Sequence, residues 1–230
     1  MDTDPRSHDH LTLEPALTTA DREAVFHLRY RAWQAVGGMA PNDAEQVRDA
    51  LDDSPFAYSY MLRDRGRLVG TVRSNVYRHG QPGHHLFLFD FWPTLELPWL
   101  ADAGPVVESS RLAVDPRCSE SYATYVLRLF RAHNANAAAY GVRYVVSAAQ
   151  RRHIPFYRQR LKMEAVTEPM PVPGLNVEAG SVLRLDYPAH IGQIEARFPD
   201  TVLSSADAAR LVVPDAVGVA AAAAGVGARP

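Results

Sequence analysis

The stretch from Val106 to Ala149 constrains the fold more than any other part of the chain. Val106–Val114 and Val142–Ala149 are rich in valine and predict two strands. The segment between them predicts a helix that runs to about Tyr140 and ends at Gly141. Two strands joined by a long helix form a crossover connection, so they pair in parallel within one sheet. This stretch therefore predicts an α/β fold.

The other predicted elements flank this crossover. They are a helix over Asp21–Val36 that starts near Thr18, a hairpin of Phe56–Arg63 and Leu68–Tyr77, a helix over Ile154–Leu161 and a strand over Ser181–Asp186. Ser119 or Ser121 can cap the crossover helix, because a hydroxyl accepts from a free backbone N–H there. The order of these elements predicts a mixed central sheet flanked by helices.

The chain divides into three predicted segments. Residues 1–17 are polar and precede the first predicted helix, and residues 18–187 hold all the predicted strands. Residues 188–230 predict one more short helix and then a tail of small residues, which we expect to be mobile. We therefore expect one α/β domain at residues 18–187 with an extension at each end.

Composition excludes several classes of protein. The single cysteine, Cys118, excludes an internal disulfide framework and a cysteine-built zinc site, and we expect no bound metal. A net charge of −2 argues against a nucleic-acid partner. No apolar run approaches the roughly 20 residues of a membrane helix, and the first residues are acidic and polar. We therefore expect no membrane span and a cytoplasmic location.

The Val106–Val114 strand carries charged residues where a buried strand has few. Regular alternation places Glu108 and Ser110 on one face together with Leu112 and Val114, and Arg111 on the other face. A carboxylate and an arginine in the middle of a central strand need partners, because an unpaired buried charge is costly. These residues are therefore candidates for an ionic site.

Three arginines occupy positions that predict burial: Arg29 on the first helix, Arg73 on the second strand and Arg111 on the third. The candidate partners are the carboxylates of Asp49, Asp52 and Glu108. Two interpretations remain open at this point. The six residues form one buried ionic network, or they form separate salt bridges on exposed faces of the strands.

These residues also carry a family resemblance, over roughly residues 20–186. The segments concerned are Arg29-Tyr-Arg-Ala-Trp33, Gly38-Met-Ala-Pro41-Asn42, Asp49-x-x-Asp52, Gly70-Thr-Val-Arg73 and Glu108-Ser-Ser-Arg111. Together and in this order they resemble the acyl-homoserine-lactone synthases and their relatives, the N-acyl amino acid synthases, which share the GNAT acyltransferase fold. The approach to the acidic motif, Gly-x-x-Pro-Asn, is more similar to the N-acyl amino acid synthases.

The chain departs from the lactone synthases at three places. Those enzymes carry a glutamate two residues before the first aspartate, where this chain has Val47. They carry an aromatic residue after the last arginine, where this chain has Leu112. A tryptophan that usually follows their first helix is missing, and Met39 lies near its place. The departures favour the N-acyl amino acid synthase branch.

The resemblance implies a GNAT-like mixed central sheet in which the two parallel strands splay apart around an acyl thioester. The thioester belongs to an acyl carrier protein or coenzyme A and serves as co-substrate, with no bound cofactor. A small amine, such as that of an amino acid, accepts the fatty acyl group. The implied catalytic residues are Glu108, Ser110 and Arg111. The implied substrate-binding residues are Arg29, Trp33, Asp49, Asp52, Arg73, Leu112, Val114 and Ser147.

Glu108 would take the proton of the amine if burial raises its pKa, and a backbone N–H of the first splayed strand would polarise the thioester carbonyl. Two other functions remain open: an autoinducer synthase that uses S-adenosylmethionine, and a non-catalytic module that binds acyl chains.

The loop at residues 115–121 bears on the donor. It has no glycine and contains acidic residues, whereas the related acetyltransferases cradle the coenzyme A diphosphate with a glycine-rich loop at this place. This difference weakens the case for coenzyme A and favours a carrier protein. A basic surface for an acidic carrier is available from Arg117, Arg151, Arg152, Arg158 and Arg160.

Overall fold

A computed structural model describes residues 10–118, 121–177, 179–212 and 214. The strands are β1 (Leu11–Pro15), β2 (Ala57–Asp64), β3 (Arg67–Arg78), β4 (Pro105–Val114), β5 (Tyr144–Gln150), β6 (Glu164–Ala165), β7 (Met170–Pro171) and β8 (Ala179–Asp186). The helices are α1 (Thr19–Ala35), α2 (Leu88–Phe91), α3 (Tyr122–Tyr140), α4 (Ile154–Leu161), α5 (Tyr187–Arg197) and α6 (Ser205–Leu211).

All eight strands belong to one sheet in the order β1-β2-β3-β4-β5-β8-β6, with β7 paired to β8. β4 and β5 pair in parallel, and the other strand pairs are antiparallel. The predicted α/β class, the hairpin and the parallel crossover are confirmed.

Helices cover both faces of the sheet. Successive residues of β2 point to opposite faces, as the strand geometry requires. Met61 packs with Val25 and Phe26 of α1, whereas Tyr60 and Leu62 pack with side chains of α3. α1 and α3 therefore lie on opposite faces, and the sheet forms the middle layer.

Local chemistry explains where the long helices begin and end. Thr18 is the N-cap of α1 and forms a reciprocal capping box with Asp21, as its position predicts. Ser121 caps α3 by accepting from the Thr124 backbone N–H, which selects it over Ser119, a residue outside the described part of the chain. Gly141 ends α3 in the left-handed region with φ of 58°.

β4 and β5 stop pairing about halfway along β4. Their paired residues run from Val106 with Tyr144 to Ser109 with Ser147, and β4 then continues alone to Val114. The predicted splay between these strands is confirmed. Beyond Ser109 the edge of β4 that faces β5 has no strand partner, so its backbone groups face the gap.

A bulge in β4 changes the predicted faces of the strand. The register between β3 and β4 shifts between Thr71 and Arg73, and Arg111 adopts a positive φ of 55°. Leu112 and Val114 consequently pack against the cluster under α3 instead of sharing the face of Glu108. The prediction for these two residues was wrong because the extra residue reverses the alternation after Ser110.

The two ends of the chain differ from their predicted descriptions. Residues 11–15, expected within a polar extension, form edge strand β1, which pairs with β2. At the other end, α5 and α6 replace the single predicted helix. The side-chain hydroxyl of Tyr60 donates to the main-chain carbonyl of Leu211, and both residues are buried. Residues 215–230, which hold most of the predicted mobile tail, lie outside the described residues.

No helix in the described part of the chain combines the length and the apolar character that crossing a membrane requires.

Candidate active site

A cavity of about 650 Å³ occupies the gap between β4 and β5. On the α1 face its walls include Trp33, Phe87 and Phe91, and on the α3 face they include Tyr122 and Phe156. The cavity thus passes through the sheet and opens toward both layers of helices. Its volume is within the range of sites that enclose most of a small ligand.

Arg29 anchors one side of this site from α1. Its side chain is completely buried, and Nη1 donates to both carboxylate oxygens of Asp52, at 2.9 and 3.0 Å. Nη2 donates to the hydroxyl of Ser59 over 2.6 Å. Burial lowers the pKa of Arg29 to about 10, even though pairing with Asp52 opposes the change. The guanidinium therefore remains protonated at neutral pH, and the pair is a buried ionic contact.

Arg73 connects the two aspartates and is also completely buried. Nη1 lies 2.6 Å from Asp49 Oδ1 and 3.1 Å from Asp52 Oδ1, while Nε donates to the Ser110 hydroxyl over 3.1 Å. Asp49, Asp52 and Ser110, which belong to the two sequence motifs, therefore all contact the Arg73 guanidinium.

Arg111 completes the network from the bulge in β4. Nε donates to Asp49 Oδ2 over 2.8 Å, and Nη2 lies 2.7 Å from the same oxygen. The bulge thus brings Arg111 to the face of Ser110, whereas regular alternation predicted the opposite face. Burial opposes ionisation of Asp49, but the charges and hydrogen bonds of Arg73 and Arg111 outweigh it and lower its pKa.

The spacing of the two aspartates follows from a single helical turn. Asp49 is the N-cap of a 3-10 helix at residues 50–53, and its side chain accepts from the Leu51 N–H over 2.9 Å. The Asp49 N–H in turn donates to Asp52 Oδ2 over 3.0 Å. This reciprocal capping box, like that at the start of an α-helix, holds both carboxylates toward the arginines. The Asp-x-x-Asp spacing is therefore a geometric requirement of the network.

A buried ionic network, one of the two interpretations left open by the sequence, is present, but it contains five of the six residues. It joins three arginines to two aspartates, and Glu108 is not part of it. Nη1 of Arg111 makes no hydrogen bond to any described residue, and Arg111 lines the cavity. The unused N–H groups of this arginine make the point suitable for an anion.

Glu108 lies beside the network but bonds to different partners. Its Oε1 accepts from the Leu88 N–H at 2.9 Å, and its Oε2 accepts from the Phe87 N–H at 2.9 Å and from Asn75 Nδ2 at 3.2 Å. The residue is 1% exposed and lines the cavity. Burial raises the pKa of Glu108 despite these hydrogen bonds and the charge of Arg73. A carboxyl with a raised pKa at a cavity wall is suited to accept a proton.

Arg29, Asp49, Asp52 and Arg73 do not line the cavity, whereas the remaining predicted site residues do. Trp33 contributes from α1 and Ser147 from the last position of β5 that pairs with β4. Leu112 and Val114 contribute to the wall although they also pack on the α3 side.

Three residues near the network were not among the predicted site residues. They are Ser59, which bonds Arg29; Asn75, which bonds Glu108; and Phe87, whose ring lies against Arg73 and Arg111. The alternation of apolar and polar residues places Ser59 and Asn75 on strands. It does not reveal which residues of other elements these two side chains contact. Phe87 lies in an aromatic stretch of the sequence, and such a stretch is also typical of a hydrophobic core.

The α3 end of the cavity is aromatic and basic. His153 stacks on Tyr122 with ring centroids 6.2 Å apart, and Arg152 lines the cavity beside them. In the preceding loop, Asp115 binds the guanidinium and backbone N–H of Arg117, and these bonds lower the pKa of Asp115. Asp115, which lines the cavity, is therefore already paired with Arg117.

No cluster of three or more histidine, cysteine, aspartate or glutamate side chains suited to a metal ion occurs in the described part of the chain.

A comparison with models of protein families identifies one family. A family model described as N-acyl amino acid synthase FeeM matches residues 24–186, which include the whole ionic network. A comparison with curated protein sequences gives no match.

Solved structures share the fold at low sequence identity. FeeM, an N-acyl amino acid synthase from uncultured soil microbes, superposes with a TM-score of 0.62 at 16% identity, covering 77% of this chain and 91% of that one. The acyl-homoserine-lactone synthase LasI gives 0.58 at 13% identity, covering 85% and 97%. BjaI, a coenzyme A-dependent acyl-homoserine-lactone synthase, gives 0.55 at 17%, covering 94% and 99%.

The family match extends over more than half of the chain and contains the motifs that build the cavity wall. The splayed sheet and the similar structures show the fold. The chain belongs to the family of the N-acyl amino acid synthase FeeM and is an amine N-acyltransferase of GNAT fold.

Proposed function

We propose that the chain transfers a fatty acyl group from a thioester to the amine of an amino acid or a related small molecule. The observation that carries the proposal is the cavity through the β4–β5 gap, with Glu108 and Arg111 in its wall. The name of the FeeM family supports an amino acid as the acceptor.

The acyl thioester would lie in the gap between the strands. The β4 edge beyond Ser109 offers backbone N–H groups that can polarise the thioester carbonyl, as in a small oxyanion hole. Apolar side chains on both sides of the gap, including Leu112, Val114 and Phe156, would surround the acyl chain and the pantetheine arm.

The acceptor carboxylate would bind at Arg111. Nη1 of this side chain is unused, and the side chain lines the cavity. Arg29 and Arg73 would act indirectly, because their buried guanidinium groups hold Asp52 and Asp49. Trp33 and Phe91 would contact the rest of the acceptor from the α1 face.

The reaction needs one proton acceptor and no covalent enzyme intermediate. Glu108, directly or through a water, would take a proton from the acceptor amine. The neutral amine nitrogen that results attacks the thioester carbon, the carbon–sulfur bond breaks, and the leaving thiolate takes up the second proton, which the nitrogen loses as it becomes an amide. Ser110, whose oxygen accepts from Arg73, retains its own O–H as a donor to the reacting groups.

The donor would be a carrier-protein thioester in preference to free coenzyme A, although both remain substrates to test. The α3 opening carries Arg152, and Arg151 beside it is exposed. A basic rim favours an acidic partner protein through charge complementarity. The fold itself does not discriminate, because the similar protein BjaI is coenzyme A-dependent.

The experiment is an assay of thiol release from acyl-carrier and acyl-coenzyme A thioesters with a panel of amino acids, for the wild type and Glu108→Gln. Acceptor-dependent release by the wild type, reduced strongly in Glu108→Gln, supports the proposal. No acceptor-dependent turnover with any donor would contradict it. S-adenosylmethionine belongs in the panel, and release of methylthioadenosine would identify an autoinducer synthase instead. The family match supports an enzyme over a non-catalytic acyl-binding module.

A further inference from the structure

Phe87 contacts both the arginines of the ionic network and Glu108. Its ring lies against two arginines of the network, with the ring centroid 4.9 Å from Arg73 Cζ and 4.2 Å from Arg111 Cζ. The residue is 6% exposed, and it lines the cavity together with Arg111. The ring therefore packs against the guanidinium groups and also forms part of the cavity wall.

The position of the ring is fixed from two directions. The backbone N–H of Phe87 donates to Glu108 Oε2 over 2.9 Å, and this bond does not depend on the side chain. Phe91 meets the ring edge to face with centroids 4.7 Å apart. The aromatic face is thus held in place by the same carboxylate that lines the cavity and by a neighbouring ring.

Arg111 depends on this ring more than Arg73 does. Arg73 has fixed polar partners on several sides, in Asp49, Asp52 and Ser110. Arg111 has a single ionic partner, Asp49, and the ring of Phe87 is its closest aromatic contact. A cation over an aromatic face is attracted by the ring, and more strongly where water is excluded.

We propose that Phe87 is a positioning residue that holds the Arg111 guanidinium so that its Nη1 edge faces the acceptor. The proposal rests on the proposed function, in which Arg111 binds the acceptor carboxylate. Without the aromatic face, the guanidinium pivots about its bonds to Asp49, and the Nη1 edge no longer points reliably at the cavity.

The kinetic test compares Phe87→Leu with Phe87→Tyr. Leucine keeps the backbone bond to Glu108 and an apolar side chain but removes the aromatic face, whereas tyrosine keeps that face. We expect Phe87→Leu to raise the KM for the amino acid about tenfold or more, with a smaller change in the KM for the thioester, and Phe87→Tyr to restore the wild-type value. Phe89→Leu is the matched control, because Phe89 packs in the cluster around Trp92 and does not line the cavity.

A second readout does not require turnover. The Arg111 Nε–H donates to Asp49 Oδ2, and the ring of Phe87 lies against the same guanidinium, so we expect this hydrogen to exchange slowly with solvent in its NMR signal. Slow exchange requires a guanidinium that is held in place, so it should be lost in Phe87→Leu and kept in Phe87→Tyr and Phe89→Leu. Unchanged exchange of the Arg111 signal in Phe87→Leu, or an equal rise of both KM values, would overturn the positioning role. If the wild type has no acyltransferase activity, the proposed function fails, and the Arg111 signal alone decides whether Phe87 positions this guanidinium.

Discussion

Asn75 and Glu108 lie opposite each other across β3 and β4, and the Asn75 side-chain amide donates to Glu108 Oε2 over 3.2 Å. The same amide nitrogen donates to the His85 carbonyl over 2.6 Å. One side chain therefore ties the carboxylate to the segment that carries Phe87 and Leu88. The carboxylate is held in one orientation at the cavity wall, and its protonation controls how well that segment is bound.

The first prediction concerns the pH dependence of catalysis. Glu108 must be ionised to accept a proton, and burial raises its pKa above the ordinary glutamate value. We expect kcat/KM to fall as the pH drops through a pKa that lies above about 4.3. In Glu108→Gln, activity should fall about 10²- to 10⁴-fold, and this ionisation should disappear from the pH profile. If the pH profile of kcat/KM has the same shape in Glu108→Gln as in the wild type, Glu108 is not the base.

The second prediction concerns the acceptor. If Arg111 binds the acceptor carboxylate, the wild type should prefer an amino acid over its primary amide. A hydrogen bond between charged groups is worth about 1.5–3 kcal/mol, so the preference in kcat/KM should be about tenfold or more. Arg111→Gln should remove most of it. Equal discrimination by the wild type and the variant would show that the carboxylate binds elsewhere.

The third prediction concerns stability at neutral pH. Arg29→Met removes the closest partner of Asp52, which keeps only its contact with Arg73, and should lower the free energy of unfolding by up to about 3–5 kcal/mol. Arg22→Met is the matched control on the same helix, since Arg22 pairs with the exposed Asp53 and its loss should cost at most about 1 kcal/mol. Adding Asp52→Asn to Arg29→Met should recover part of the loss, because the incompletely paired charge disappears. Urea unfolding of the wild type, the two single variants and the double variant measures these differences in the free energy of unfolding.

The fourth prediction concerns stability in acid. The pKa of Asp49 is lowered in the folded protein, because Arg73 and Arg111 outweigh the effect of burial. The stability that Asp49 contributes is complete above the unfolded pKa of about 3.9 and is lost as the pH falls through its lower folded pKa. Asp49→Asn should therefore be less stable than the wild type above about pH 4, and the difference should shrink below it.

Unfolding by urea at stepped pH tests this, with the exposed Asp43→Asn as the control. A difference that stays constant down to the most acidic pH would contradict it.

The fifth prediction concerns the donor. If an acidic carrier docks at the α3 opening, Arg152→Glu should raise the KM for the carrier thioester and leave the KM for a short pantetheine thioester nearly unchanged. The wild-type KM for the carrier should also rise with ionic strength. Arg65→Glu, an exposed change in the β2–β3 turn, is the control. Equal effects on both donors would argue for contact with the pantetheine arm instead of the carrier surface.

The elements with local signals could be predicted from the sequence. Thr18 with Asp21 indicates a helix start, and Gly141 indicates a helix end, because both act through bonds within a few residues. The pairing of Arg29 with a carboxylate could also be anticipated, since burial of an unpaired guanidinium is too costly.

The missed features depend on contacts between distant segments. Nothing in the sequence around Arg111 indicates a bulge, because the shift is visible only against the register of β3. β1 is a short edge strand whose identity comes from its pairing with β2. The role of Phe87 could not be predicted either, because its partners Arg73 and Arg111 lie on two other elements.

The hydrogen bond between Tyr60 and Leu211 joins residues 151 positions apart in the chain. During synthesis β2 leaves the ribosome long before Leu211. Tyr60 therefore cannot form this hydrogen bond until Leu211 has also emerged. Contacts of such long sequence separation slow folding. Docking of α6 should therefore be among the last events in maturation of the nascent polypeptide.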